Sequence, residues 1–183
     1  MSSSVPHIEN HLDETTPKWF AVYTRFKGEK MAFRHLAKKG ISVYLPLQKL
    51  TRRYTRKVKV VELPLITCYI FVKITKHEYV KVLETESVVD FVRFSNNLIS
   101  IPEEEIDTMK RVLGENWEVQ IEPTSLQPGD RVEISAGNLI GLQGRLVDQR
   151  DKQQVLVDLE RLGYTLRISV DKRLLRKVDT IFA

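Results

Sequence analysis

The side chains in this 183-residue sequence whose type and grouping first suggest covalent, metal or acid–base chemistry are one cysteine, four histidines and a run of three glutamates. Cys68 becomes a nucleophile only with a base beside it. Its place in the apolar run Ile66-Thr67-Cys68-Tyr69-Ile70-Phe71-Val72 predicts an inert, packed thiol. His7, His11, His35 and His77 are scattered, without the His/Cys spacing of a metal site. A single cysteine excludes an intramolecular disulfide and a multi-cysteine zinc centre. Glu103, Glu104 and Glu105 follow Pro102, so they read as acids at the positive end of a helix. There is no phosphate-binding GxxxxGK[ST] and no nucleophile elbow. Gly141 and Gly144 read as backbone-shape residues. The expectation is a protein that is not an enzyme, with no metal and no cofactor.

Binding is better supported than catalysis, because the charge is unevenly placed. Lys18 to Leu113 carries 19 Lys+Arg against 10 Asp+Glu, whereas Gly114 to Ala183 carries 10 against 11. Positive charge gathered in one part marks a surface for phosphates or for an acidic protein. It falls in two clusters. On a helix predicted over 26–39, Lys27, Lys30, Arg34 and Lys38 lie three or four apart and form one stripe. Ala32, Phe33 and Leu36 face the other way, and His35 sits at the border. The second cluster, Lys49 to Lys59, has six cations in eleven residues, among them Arg52, Arg53 and Arg56. Its alternation predicts an extended hairpin without a glycine turn, in which like charges repel unless a polyanion or solvent screens them. Tyr54 suits base stacking or cross-strand packing.

The elements that must position these residues are predicted as follows. Strands at 18–24, 42–47, 68–74 and 88–94 alternate with helices at 26–39, 75–85 and 102–113. Thr75-Lys76-His77-Glu78 has the capping-box pattern, and Ile106, Met109 and Leu113 give the last helix its buried stripe. In the third strand Cys68, Ile70 and Val72 line one face, and Tyr69 and Phe71 the other. Residues 1–17 read as an unstructured tail and 115–127 as a flexible linker. Beyond it, short strands at Arg131–Ser135, Gln143–Gln149, Gln154–Leu159 and Thr165–Val170 predict a small β-barrel over 128–179, with turns at Ala136-Gly137, Arg150-Asp151-Lys152 and Leu162-Gly163. The fold class is α+β: an N-terminal, mostly antiparallel sheet with helices over 18–114, a linker, and a C-terminal barrel. No apolar run is long enough to span a bilayer and no secretory pattern opens the chain, so the cytoplasm is the expected compartment.

Several motifs follow one another in a set order: Lys18-Trp19-Phe20-Ala21-Val22-Tyr23-Thr24, the basic helix, Tyr44-Leu45-Pro46, the basic run, Pro64 to Val72, Val88 to Phe94, Ile101-Pro102, and then Pro128-Gly129-Asp130-Arg131-Val132 with Gly141 to Leu146. That order resembles the NusG family of transcription elongation factors, and more closely its RfaH-like antiterminator branch, with the last two motifs similar to the start of a KOW module. One departure stands out: Ile66-Thr67-Cys68 replaces the Phe-Pro-Gly or Phe-Pro-Asn usual before the strand tyrosine. The resemblance implies an NGN-like domain that binds the clamp helices of the RNA polymerase β′ subunit through Tyr23, Ile66, Tyr69 and Phe71, and suppresses pausing or termination in particular operons. It implies contacts of Arg25 and His35 with non-template DNA, beside the Lys27/Lys30/Arg34/Lys38 stripe and a nucleic-acid- or polymerase-facing arm bearing Arg52, Arg53 and Arg56. A ribosomal protein or another factor would meet the KOW domain. An arginine with which RfaH-like proteins touch DNA falls here at Glu86. The competing expectation is a ribosome-associated or RNA-binding KOW protein, which would need its basic surface on the barrel.

Overall fold

The computed structural model of the protein describes residues 8–114, 119–123, 131–135, 137–149, 152–159 and 162–178. In chain order the elements are β1 (Lys18–Thr24), α1 (Glu29–Lys38), β2 (Ser42–Tyr44), β3 (Leu47–Tyr54), β4 (Lys57–Pro64) and β5 (Tyr69–Ile74). There follow α2 (Tyr79–Leu83), β6 (Val88–Phe91), α3 (Glu103–Leu113), β7 (Val119–Pro123) and β8 (Arg131–Ile134). The last four strands are β9 (Gln143–Gln149), β10 (Lys152–Leu159), β11 (Tyr164–Ser169) and β12 (Leu175–Lys177). They divide into two compact units: residues up to Pro46 with Ile66–Glu103, and Leu47–Leu65 with the chain from Glu104 onward.

The first unit is a four-stranded antiparallel sheet in the order β2-β5-β1-β6. β1 and β5 are its inner strands, and their apolar residues are buried on both faces: Phe20, Ala21 and Val22 with Ile70, Phe71, Val72 and Ile74. That is why these segments read as continuous apolar runs and not as clean alternation. From α1, Ala32 and Leu36 are buried, as their spacing predicts, while Phe33 is half-buried. The capping box at Thr75 forms, with the Thr75 N–H donating to Glu78 Oε2 at 2.9 Å, but the first turn is 3₁₀ and α2 stops at Leu83. Lys39 closes it, its Nζ donating to the Lys81 and Glu84 carbonyls and to Thr85 Oγ1. A cation at the negative end of a helix is favourable.

The expected unstructured tail differs from what its described part shows. The His11 N–H donates to the Leu98 carbonyl, and the Leu98 N–H to that of Glu9. The reason lies in Asp13, whose Oδ1 accepts the Thr15 and Thr16 N–H groups and folds the segment into a turn. Those bonds, that from Thr16 foremost, hold its carboxyl below the usual carboxylate range. His11 is half-buried, with Nδ1 at 2.9 Å from Ser100 Oγ. His7 lies outside the described residues.

In the second unit β3 and β4 form the predicted hairpin, β7–β12 form a six-stranded sheet in the order β12-β8-β9-β10-β11-β7, and α3 carries the acid triplet. Ile106, Met109 and Val112 are fully buried, whereas Leu113, expected in that stripe, is only half so. The Arg111 guanidinium donates to the Asn138 and Ile140 carbonyls, which fixes the rotation of the helix. Part of the expected linker is a strand. Val119–Pro123 pairs with β11 in the register Val119↔Ile168 and Ile121↔Leu166. The alternation Val119-Gln120-Ile121 is a short strand signal, masked in the sequence by the polar residues and proline around it. Residues 115–118 and 124–127 of that linker, and the turn residues Ala136, Arg150 and Asp151, lie outside the described set. Gly144 confirms its reading as a backbone-shape residue: a Cβ there would lie 2.4 Å from the Leu156 carbonyl oxygen. Gly141 has φ +80°, where a side chain is strained.

Candidate functional site

Tyr23 and Tyr69 stand directly opposite each other on β1 and β5. Their rings meet edge to face at 4.8 Å between centroids, and the Tyr69 hydroxyl donates to the Tyr23 hydroxyl at 2.9 Å. Tyr23 is 38% exposed and Tyr69 half-buried, so the pair presents aromatic surface to solvent. The other two members of the expected patch do not. Ile66 is 4% and Phe71 0% exposed. Phe71 lies between Ala21 and Tyr44 in register, its ring 6.3 Å from that of Tyr44. Both are packed inside the first unit, so the exposed aromatic surface of the expected patch is that of the two tyrosines.

The turn that brings β5 beside β1 uses an element that sequence reasoning missed. Cys68 is not part of the strand: it precedes it, with φ +63°. This left-handed conformation suits glycine or asparagine, the residues usual here in the resembling family. The strain is held by Glu29, 4% exposed, whose Oε1 accepts the Cys68 N–H at 2.8 Å. The Cys68 carbonyl in turn accepts the Thr24 N–H at 2.9 Å. A buried carboxylate needs such partners, and this one pins the chain next to both tyrosines. An acid in the first turn of a helix was legible only as a dipole partner. Cys68→Gly is expected to raise stability by about 1 kcal/mol, since it removes left-handed strain offset in part by added unfolded-state entropy. A urea titration showing Cys68→Gly less stable than wild type would contradict this account. The histidines that cysteine chemistry would require face glutamates: His35 Nδ1 is 3.6 Å from Glu86 Oε2, and His77 Nε2 is 3.2 Å from Glu14 Oε2.

The cationic stripe forms only in part as its spacing predicts, because α1 begins at Glu29 and leaves Lys27 before the helix. Lys30, Arg34 and Lys38 are exposed on α1, and Lys27 and Arg25 on the turn before it. That turn is tight: the Gly28 N–H donates to the Arg25 carbonyl, Lys27 has φ +58°, and a Cβ on Gly28 would lie 2.9 Å from the Arg25 oxygen. The Arg25 N–H bonds the Ser87 carbonyl, so the loop carrying Glu86 is tied to the base of the stripe. His35, half-buried, therefore has an exposed acid beside it in place of another cation. A phosphate nearing His35 meets Glu86 as well.

In the hairpin the cations divide between faces. Arg52 lies opposite Lys59, and Tyr54 opposite Lys57, on one face; Arg53 lies opposite Val58 on the other. Arg56 is in the two-residue turn with Thr55, and neither has positive φ. The Tyr54 side chain lies outside the described set. Val58 and Val60 are 63% and 60% exposed and share a face with Arg53, Thr51 and the Lys49–Glu62 pair, whereas Arg52, Lys57 and Lys59 lie on the other face.

A sheet whose inner strands present paired tyrosines, with a basic helix beside it and a second all-antiparallel sheet downstream, shares the fold of a solved NusG structure. The family model described as "Transcription termination factor nusG" matches residues 17–110, and the chain belongs to the NusG family. Among solved structures, Thermotoga maritima NusG, in a study of domain interaction, is similar with a TM-score of 0.55 at 19% identity, over 91% of this chain and 99% of that one. An MjSpt4:Spt5 complex matches at 20% identity over 88% of this chain and 98% of that one, with a TM-score of 0.30. No curated protein matches the sequence. Among the described residues no helix is long and apolar enough to cross a membrane.

Proposed function

We propose that this protein is a transcription elongation factor of the RfaH-like kind, which binds the β′ clamp helices of RNA polymerase through its first unit and suppresses pausing or termination in particular operons. The observation that carries this reading is the exposed Tyr23/Tyr69 pair, set in a frame that is buried around it. Tyrosine rings partly open to solvent, apolar in body and polar at the tip, suit a protein interface. The stripe Lys27, Lys30, Arg34 and Lys38 supports a second contact, to the displaced non-template strand, with Arg25 and His35 at its edge. The arginines of the hairpin suit nucleic acid too, Arg52 and Arg53 from opposite faces. The family description speaks of termination, so the sign of the effect is the point to test. Single-round transcription with purified core polymerase should show shorter pauses and more readthrough when the protein is added; longer pauses or earlier release would overturn the antitermination reading.

The DNA contact makes its own prediction. Arg25→Ala with His35→Ala is expected to leave polymerase binding intact while reducing recruitment to the native leader about tenfold, as loss of a phosphate or base contact does. Glu86→Gln should act in the opposite direction, because it removes the acid beside His35. Equal crosslinking of wild type and both variants to the non-template strand would remove the DNA role.

A further inference from the structure

A different feature of the second unit carries an inference that stands whether or not the first unit binds polymerase. Arg131 on β8 and Arg145 on β9 are direct cross-strand partners. Like charges in that position repel. Arg145 is compensated: its Nη2 lies 3.0 and 3.1 Å from the two oxygens of Asp158, whose Oδ1 also accepts the Thr165 hydroxyl at 2.7 Å. Both members of this ion pair are largely covered, with side chains 18% and 28% exposed. Asp158 is thus fully engaged by neighbours on β9 and β11, and Arg131, which is exposed, has no acidic partner among the described residues. The two arginines and Asp158 line one hollow of about 240 Å³, whose wall also includes Leu156 and Val157.

We infer that this hollow is a docking site for a carboxylate on a partner protein, an aspartate or glutamate side chain held by the Arg131 guanidinium beside the fixed Arg145. The lining carries two cations and one anion, so one incoming carboxylate neutralises it. A guanidinium fork matches a carboxylate with two parallel hydrogen bonds, and the leucine and valine suit the methylene stem of an acidic side chain. Every residue of the lining lies in Gly114 to Ala183, which has 10 cations against 11 acids and so lacks the excess of positive charge that draws in a polyanion; the surplus cations of the second unit gather on the β3–β4 hairpin. Neither arginine was legible as a site in the sequence, where they stand 14 positions apart; only the β8–β9 register brings them together.

The test uses the full-length protein with ¹⁵N-labelled arginine, following the side-chain Nε–H signals by NMR. The probes are a blocked pentapeptide Ser-Val-Glu-Val-Ser, its glutamine counterpart, and a single-stranded oligothymidylate. Saturable shifts of the Arg131 and Arg145 signals are expected with the glutamate peptide, and affinity at least about fivefold weaker with the glutamine peptide or with Arg131→Gln. Arg131→Lys, which keeps the charge but not the fork, should fall between. Because Arg131 is exposed, these variants retain the wild-type spectrum elsewhere. No shift with the glutamate peptide, equal shifts with the two peptides, or tighter binding of the oligonucleotide at these signals would overturn the carboxylate site.

Discussion

Phe71→Ala is expected to lower stability by about 3–5 kcal/mol, the range for removing a buried phenylalanine ring. With a urea slope of about 2 kcal/mol per molar, the unfolding midpoint of the first unit should fall by roughly 1.5–2.5 M. The residue is fully buried, on an inner strand flanked by β1 and β2, with Tyr44 across the ladder. Removing its ring leaves a cavity that neither the Ala21 methyl nor the Tyr44 ring can fill without breaking register. Any loss of polymerase binding in this variant would follow from loss of the folded sheet. The comparison with Phe71→Leu separates the two: leucine restores most of the volume and should recover most of the stability. A variant Phe71→Ala that unfolds within about 1 kcal/mol of wild type, yet no longer binds polymerase, would return this residue to the contact surface.

That reassignment shows what the sequence can and cannot carry. Period-2 alternation places Tyr69 and Phe71 on one face of a strand, and they do share that face. What alternation does not contain is where along the strand the face leaves cover. Tyr69 begins β5 beside the turn, at the edge of the packed region, and Phe71 is two residues further in. Exposure at that scale is set by the ends of neighbouring strands, which are long-range facts. The same limit hid the role of Glu29, 39 residues from the Cys68 N–H that it holds. By contrast, Lys30, Arg34 and Lys38 on α1 were legible, because they depend only on spacing within one helix; Lys27, in the turn before it at φ +58°, was not. The hairpin register was legible in outline, but the division of Arg52 and Arg53 between two faces mattered more than the number of cations. The β7 strand was hidden for another reason: five residues with one central apolar alternation give too weak a signal until β11 supplies a partner. Cys68 was read as strand because its side chain is apolar. The left-handed backbone there was foreshadowed only by the family's usual glycine or asparagine at that position.

Tyr23→Ala and Tyr69→Ala are expected each to weaken binding to core polymerase by about 30-fold, corresponding to roughly 2 kcal/mol for an aromatic anchor at an interface. The cost in stability should be much smaller, about 1 kcal/mol, because what is lost inside the protein is one edge-to-face ring contact and one exposed hydroxyl bond. Since the two rings touch, the double variant should lose less than the sum of the singles. Replacement by phenylalanine at both positions removes the hydroxyl bond and keeps the aromatic area. If the surface works by burying the rings against a partner, the doubly substituted Tyr→Phe protein should bind within about threefold of wild type. If the bonded hydroxyl pair is itself what the partner reads, the phenylalanine and alanine variants should be equally weak. Binding measured by fluorescence anisotropy with labelled protein and purified core polymerase, alongside urea titrations of the same samples, distinguishes these cases. Wild-type affinity in both alanine variants would sink the assignment of this pair to the polymerase interface. The NusG-family membership would survive that result, but the proposed clamp contact would lose the observation that carries it.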